Sequence, residues 1–373
     1  MRFSSEFVVD LNLLEENFHK LKSLAPKNEV IFMVKANAYG HGLIEVVKFA
    51  ADKLGVRVFG CASLGEALAI KKETSVPDIE IWVFSDLDLE THLESYRESD
   101  IFPVLSNLSQ VKFVVESQIQ IPLIIKLNTG MNRLGVLESD YTDAIDLLKA
   151  SGHSSIKHLM THFSHSFFKI KDGDKTHRQY SKFLEFKELL INSKITLESS
   201  SVSNSGAIEQ QFGLDETHIR PGLMLYGPRS VGSFKEEEEI WNGKVISSLK
   251  TKIINIESVK KGTPIGYGGH VCHADGVLAF LPLGYGDGVL TYYTGANIHH
   301  KEAIGRIIGR ISMDITVVHF NIEDANKIKV GDEVKFWDHS QKRVVEFASQ
   351  TKSIPYQMFT SITSRVAKSY IYK

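Results

Sequence analysis

The chain has 373 residues, 43% of them hydrophobic and 24% charged, with a formal net charge of −2. That length exceeds one ordinary core and predicts two domains, while the near-balanced charge excludes an electrostatic case for nucleic acid or an anionic membrane as partner. Two cysteines (Cys61 and Cys272) make no disulfide framework, and fifteen histidines without HExxH or Cys/His spacing give no metal site. The first residues lack a basic stretch followed by a long apolar one, and no apolar run approaches membrane-spanning length. A cytoplasmic enzyme or binding protein is the expectation.

Taken in order, residues 7–11 read as a short strand entering a helix, with Asp10 as its N-cap and Leu14, Phe18 and Leu21 at helical spacing. Then strand and helix patterns alternate. Apolar runs at 29–34, 56–62, 79–84, 101–105, 122–127, 156–161, 195–200 and 219–225 read as strands. Helical patterns fall between them at 44–54, 64–72, 87–97, 108–117, 141–150 and 174–190. Eight strands alternating with helices over about 220 residues predict a (β/α)8 barrel. The rival, a doubly wound sheet binding a dinucleotide, would carry a G-x-G-x-x-G turn after an early strand, and there is none. After an acidic connection at 235–239 the character changes to short, Gly-studded strands at 244–259, 277–281, 304–311, 315–320 and 333–336. A helix at 345–350 and a final strand near 356–364 close the chain. The expected domains are therefore a barrel at 8–234 and a β-rich unit at 235–373, with residues 1–7 open to pairing with the second.

Barrel chemistry sits at the carboxyl ends of the strands. There the sequence places Lys35 and Tyr39 after strand one, Lys126 and Arg133 at and after strand five, and His162 after strand six. Asn204, Ser205 and Gly206 follow strand seven, and Arg220 and Gly222 lie on strand eight. Each has an ordinary alternative. Lys35 can snorkel to water, Arg133 can be a surface arginine, His162 a satisfied core histidine, and Asn204 a helix cap. Together they put a lysine, two arginines, a histidine and a small-residue polar turn on one rim. The turns after strands seven and eight suit a phosphate, and a phosphate beside a rim lysine points to pyridoxal phosphate. An arginine beside the pyridine nitrogen, for which Arg220 is the candidate, would keep that nitrogen unprotonated and weaken the ring as an electron sink.

Seven segments then become recognisable. They are Val34-Lys35-Ala36-Asn37-Ala38-Tyr39-Gly40-His41-Gly42, Thr129-Gly130-Met131-Asn132-Arg133-Leu134-Gly135, Arg220-Pro221-Gly222-Leu223-Met224-Leu225-Tyr226-Gly227, Gly266-Tyr267-Gly268, Pro282-Leu283-Gly284-Tyr285-Gly286-Asp287-Gly288, Gly309-Arg310-Ile311-Ser312-Met313-Asp314 and Ile354-Pro355-Tyr356. In these the chain resembles the alanine racemase family, pyridoxal-phosphate enzymes with a fold type III barrel, from end to end. The resemblance implies a two-base racemase. Lys35 is similar to the lysine that binds the cofactor and serves one face of the substrate. Tyr267 is similar to the base on the other face, supplied by a partner subunit, with His162 and Arg220 matching the residues beside it. Tyr39, Ser205, Gly222, Leu223 and Tyr356 match the residues around the cofactor phosphate, Asn204 joins them, and Arg133 matches the arginine that contacts the substrate carboxylate. Met313 and Tyr285 match partner residues at the substrate entrance. Lys126 matches a lysine that many members carry as a carbamate. Asn128 and Ser312 depart from the aspartate and cysteine common there. An obligate homodimer with composite sites follows from the same resemblance, as does a role either in supplying D-alanine for peptidoglycan synthesis or in D-alanine catabolism.

Two other enzyme readings are open: a racemase for serine or lysine, and a fold type III amino-acid decarboxylase. The decarboxylases place a cysteine near the carboxyl end and an acidic residue at the pyridine nitrogen, where this chain has Cys272 and Arg220. A non-catalytic carrier of the cofactor would be a lone barrel, without a second domain bearing Tyr267 and Tyr285.

Overall fold

The computed structural model describes residues 5–86, 88–117, 121–230 and 241–373. The acidic run at 235–239 lies outside them.

Eight parallel strands close into a barrel: Glu29–Met33, Val58–Cys61, Glu80–Val83, Phe102–Leu105, Ile124–Asn128, His158–Thr161, Ser200–Asn204 and His218–Arg220. The eighth pairs with the first, Ile219 opposite Val30, and the fourth with the fifth, Val104 opposite Ile124. The first strand, Glu29-Val30-Ile31-Phe32-Met33, is almost wholly buried, as expected of a barrel strand covered on both faces. Helices follow the strands, and polar side chains start them. Ser63 Oγ accepts from Glu66 N at 3.3 Å, Asn107 Oδ1 from Gln110 N at 2.8 Å, and Asp174 Oδ1 from Thr176 N at 2.7 Å. The first helix, Leu11–Leu24, is capped by Asp10 as expected and buries Leu11, Leu14, Phe18 and Leu21.

Two barrel strands differ from the sequence expectation. The seventh is Ser200–Asn204, whereas Thr196–Leu197 pairs with Ser155–Ile156 in a separate two-stranded sheet. The eighth ends at Arg220, and its apolar continuation, Leu223–Tyr226, is a buried 3-10 turn.

A second, nine-stranded sheet runs in the order Asn255–Val259, Gly276–Leu281, Thr316–Asn321, Ala303–Ile307, Asn297–His300, Glu333–Trp337, Ser247–Lys252, Ser5–Asp10 and Ala367–Ile371. The first strand of the chain thus lies inside this sheet, antiparallel to Ser247–Lys252 and parallel to Ala367–Ile371. Asn297–His300 escaped the sequence reading. The stretch read as a final strand near 356–364 begins instead as a helix, Pro355–Thr360, with proline in its first turn, where its missing N–H costs nothing. Buried Asn17 ties the two halves: its Nδ2 donates to the carbonyls of Leu225 at 3.1 Å and Lys244 at 2.8 Å, and its Oδ1 accepts from Lys244 N at 2.9 Å.

Candidate active site

Past Met33 the backbone turns left-handed. Ala36, Asn37, Ala38 and Tyr39 have φ of 54, 57, 52 and 55°. For the first three ψ is 53, 48 and 52°, one turn of left-handed helix built from residues with side chains. Each such residue costs about 1–2 kcal/mol, so the surroundings must hold the turn. Inside it Ala38 N donates to Val34 O at 2.7 Å, and Gly40 N to Ala36 O at 2.9 Å. Asn37 N donates to Glu66 Oε1 at 3.1 Å, while Asn37 Oδ1 accepts from Leu43 N at 2.8 Å at the start of the next helix, Leu43–Lys53. The second sheet and its helix close over the turn. Lys368 Nζ donates to Gly40 O at 2.6 Å, and a Cβ at Gly40 would lie 2.2 Å from Phe359 O. His41 is buried, with Nε2 3.0 Å from Ser247 Oγ and its ring stacked 4.8 Å from Tyr226. Burial pushes its pKa down to about 3, so it is a neutral strut.

Lys35 heads this turn, its Nζ 6.0 Å from the centroid of the Tyr39 ring. Burial first, and then the Arg133 charge, lower its pKa, against a weaker pull from Glu66. Lys126, on the fifth strand, is 6% exposed. Burial, followed by Arg133, Arg220 and Lys35, brings its pKa down to about 8, and every one of those charged neighbours is a cation. His162 is held far below the ordinary histidine range by burial and by the same four cations, so its imidazole is neutral. Arg133 is exposed, on a loop folded around Asn128, whose Oδ1 accepts from Gly130 N at 3.2 Å and Asn132 N at 2.9 Å. The Asn128 side chain thus serves as that loop's acceptor.

Arg220 is 5% exposed. Burial lowers its pKa to about 9, which leaves it charged at neutrality. Its Nη2 donates to the carbonyl of Thr161 and, at 3.4 Å, to that of Val202, its Nη1 donates to Ser201 Oγ, and Nε has no protein partner among the described residues. Beside it, Ser205 Oγ accepts from Gly222 N at 3.0 Å and Met224 N at 3.4 Å. The Gly222 N–H therefore points at Ser205 rather than standing open. Leu223 follows in the buried 3-10 turn. Asn204 caps the helix Ser205–Glu209 through Ala207 N at 3.2 Å. A Cβ at Gly222 would lie 2.2 Å from Tyr39 Oη, so glycine is required for the tyrosine to lie there. Tyr356 lies 5.8 Å from Tyr39, ring to ring.

Lys35, Tyr39, Lys126, Arg133, His162, Asn204, Ser205, Arg220, Gly222, Leu223 and Tyr356 are thus gathered around the strand ends of the barrel. Tyr267, Tyr285 and Met313 belong to the second domain and are 71%, 44% and 52% exposed. Tyr267 rides a hairpin between Pro264–Ile265 and His270–Val271, with Gly266, Gly268 and Gly269 all at positive φ. The hairpin is rooted in a small cluster of Val259, Ile265, Cys272 and Leu278. Tyr285 and Met313 are brought together by backbone bonds, Tyr285 N to Ser312 O at 3.0 Å and Gly286 N to Met313 O at 2.9 Å. Sequence reading singles out neither Glu66, Lys368, His158 nor Ser201, because these act only through distant partners.

The arrangement suits anions. Lys126 has only Arg133, Arg220 and Lys35 as charged neighbours, and the carboxylate acting on Lys35, Glu66, already accepts from Asn37 N and from Ala62 N at 2.9 Å. A half-buried lysine with a lowered pKa presents a larger share of neutral, nucleophilic amine than a free one.

Comparison with known proteins gives a uniform result. Residues 9–230 match the family model described as alanine racemase, N-terminal domain, and residues 246–370 the one described as alanine racemase, C-terminal domain. An alanine racemase of Helicobacter pylori strain J99 is 31% identical over 379 residues, covering 97% of this chain and 98% of that one. One from Thermodesulfovibrio yellowstonii is 29% identical, covering 97% and 96%. Among solved structures, the biosynthetic alanine racemase of Pseudomonas aeruginosa superposes with a TM-score of 0.85 at 25% identity, covering all of both chains. The alanine racemase of Bartonella henselae with covalently bound pyridoxal phosphate gives 0.82 at 22% identity, covering 99% and 100%.

Proposed function

The chain belongs to the alanine racemase family, and from that premise we propose that it interconverts L- and D-alanine with pyridoxal phosphate, as a homodimer whose sites each draw on both subunits. The activity is that of an isomerase, an amino-acid racemase. The cofactor and the dimer are our reading, as are a cytoplasmic location and a role in supplying D-alanine for peptidoglycan. The division near residue 234 is too; it is supported by family matches that stop at 230 and resume at 246.

The observation that carries the reading is the uncompensated charge. Even with Lys126 as a carbamate, the cations Lys35, Arg133 and Arg220 outnumber the anions beside them among the described residues, and a phosphate with a substrate carboxylate would supply the rest. The residues fit the cofactor. Lys35 would hold it covalently, and Tyr39, Asn204, Ser205, Gly222, Leu223 and Tyr356 would surround its phosphate. Arg220 Nε, without a protein partner among the described residues, would meet its ring nitrogen. When bound, the cofactor supplies an electron sink that makes the α-proton of an amino acid removable. Arg133 binds and orients the substrate carboxylate. Lys35 Nζ takes or gives the proton on one face, and Tyr267 Oη of a second copy serves the other. His162 and Arg220 support that tyrosine, while Tyr285 and Met313 narrow the entrance. Incubation with L-alanine in deuterated water should give loss of optical rotation together with α-proton exchange. Exchange without loss of rotation would remove the racemase reading, and release of carbon dioxide would favour a decarboxylase. Parallel runs with serine and lysine measure breadth.

Lys126 as an ammonium among cations is expensive, and we read it as a carbamate that pairs with Arg133. In CO2-free buffer the ammonium returns. Its folded pKa of about 8 lies below the usual value of about 10.4. Between those values the unfolded chain binds the extra proton, so this group makes stability rise with pH across that window, with the full penalty standing below it. Lys126→Met should remove that rise and gain about 3 kcal/mol at neutral pH in CO2-free denaturation curves. It should also lose activity, and added bicarbonate should restore activity to the wild type alone. Equal pH slopes for the two proteins would refute the buried ammonium.

A further inference from the structure

Behind Arg220 the hydrogen bonds continue across the barrel interior. Ser201 Oγ, which accepts from Arg220 Nη1, lies 2.6 Å from His158 Nε2. His158 Nδ1 lies 2.7 Å from Ser199 Oγ, and Ser199 donates to the carbonyl of Lys157 at 2.6 Å. Ser201 and His158 are both fully buried, so water does not satisfy either one. One assignment of protons satisfies every group. A guanidinium only donates, so Ser201 accepts there and gives its single proton to a bare Nε2. The Ser199 proton is committed to Lys157, so Ser199 accepts from Nδ1–H. His158 is therefore a neutral imidazole protonated at Nδ1.

We infer that His158, acting through Ser201, is a positioning residue that fixes the Arg220 guanidinium and with it Nε, the donor left for the cofactor ring. Alone, Ser201 would be a free rotor with a lone pair aimed anywhere. With its proton held by Nε2, a lone pair is fixed toward Arg220, and the chain of bonds polarises it. His158 is in turn wedged between the rings of Trp82 at 4.8 Å and His218 at 5.3 Å. Its titratable neighbours, His218, Arg220 and Lys157, all oppose protonation, and burial opposes it most. The pair thus adds no second cation beside Arg220. The unit spans three neighbouring strands: His158 opens the sixth, Ser201 lies in the seventh opposite Met160 and His218, and Arg220 ends the eighth.

The inference rests on the cofactor reading above, and its test separates the two. Holoenzymes carrying Ser201→Ala, His158→Leu, both together, or His158→Gln (whose amide oxygen can accept from Ser201) are compared with wild type. Readouts are kcat and KM for L-alanine, the visible band of the bound cofactor, chemical denaturation, and the side-chain 15N spectrum of His158. Loss of a hydrogen bond that positions a charged group predicts a fall in kcat of about 10- to 100-fold for Ser201→Ala and for His158→Leu. KM should stay within about twofold and the cofactor band should shift. The double variant should be no worse than either single one, because the residues act as a unit. His158→Gln should recover most of the loss. The wild-type spectrum should show Nδ1 protonated and Nε2 bare at neutral pH. A folded His158→Leu enzyme with wild-type kcat and cofactor band would overturn the inference. So would multiplying losses in the double variant, a His158→Gln enzyme as poor as His158→Leu, or a ring protonated at Nε2. If the variants fail to fold, the wild-type spectrum still decides. A wild type that does not racemise alanine removes the functional reading while leaving the tautomer to test this one.

Discussion

Lys35→Ala should abolish racemisation, with a loss of at least about 10^4-fold in kcat/KM, and should leave the purified protein without the visible band of a covalently held cofactor. On pKa alone Lys126 would compete for that role, since it is the more deeply buried and its pKa is also lowered. Position separates them. Lys126 is hemmed in by cations alone, whereas Lys35 heads a turn whose backbone is fixed on both sides and lies beside the Tyr39 ring that roofs Gly222. Borohydride reduction of the wild type followed by peptide mapping should mark Lys35. A visible band retained in Lys35→Ala would transfer the role to Lys126.

Tyr267→Phe should reduce turnover by about 10^2- to 10^4-fold, the usual range for a positioned acid or base, and should affect one direction of proton delivery more than the other. The larger consequence concerns subunits. Tyr267 is 71% exposed at the tip of a glycine hairpin, a costly way to display a residue unless something covers it. If each site joins Lys35 of one copy to Tyr267 of another, inactive Lys35→Ala and Tyr267→Phe chains should complement each other when refolded together. Half of a random mixture is mixed dimers, each with one intact site, so activity should return to about a quarter of the wild-type value. Sites built within single chains predict no recovery at all. Symmetrical, near-normal kinetics of Tyr267→Phe would remove the residue from the mechanism.

The barrel was legible because its first strands are apolar runs bounded by capped helices. The seventh escaped because it is nearly all serine. Ser200, Ser201 and Ser203 are buried in polar company, bonding Glu216, Arg220 and the Phe212 carbonyl, and a hydrophobic pattern cannot see such a strand. The apolar Ile195 and Leu197 drew the assignment to a small sheet outside the barrel. The site residues with distinctive chemistry, such as Lys35, Arg133 and Arg220, stood out by type and place. His158 did not, because its meaning depends on Ser201, forty-three residues later, and on an arginine beyond it. Nor did the left-handed turn announce itself: alanine and tyrosine disfavour that conformation, and only Asn37 and the flanking Gly40 and Gly42 hint at it.

That turn bears on how far the barrel can be treated as a separable part. Four residues at positive φ are held by Lys368 on the Gly40 carbonyl, by Phe359 against Gly40, and by Ser247 on His41. All three belong to the second domain. A barrel excised at residue 230, or grafted onto another β domain without these contacts, would keep its strands and its Lys35. It would have only the turn's own bonds and those of Asn37 with Glu66 and Leu43 to hold roughly 4–8 kcal/mol of backbone strain, and the lysine would be free to relax away from its working position. The reactive end of the barrel is in this sense not the barrel's own property, and a swapped-in domain that lacks these three contacts would carry the fold across while leaving the reagent behind.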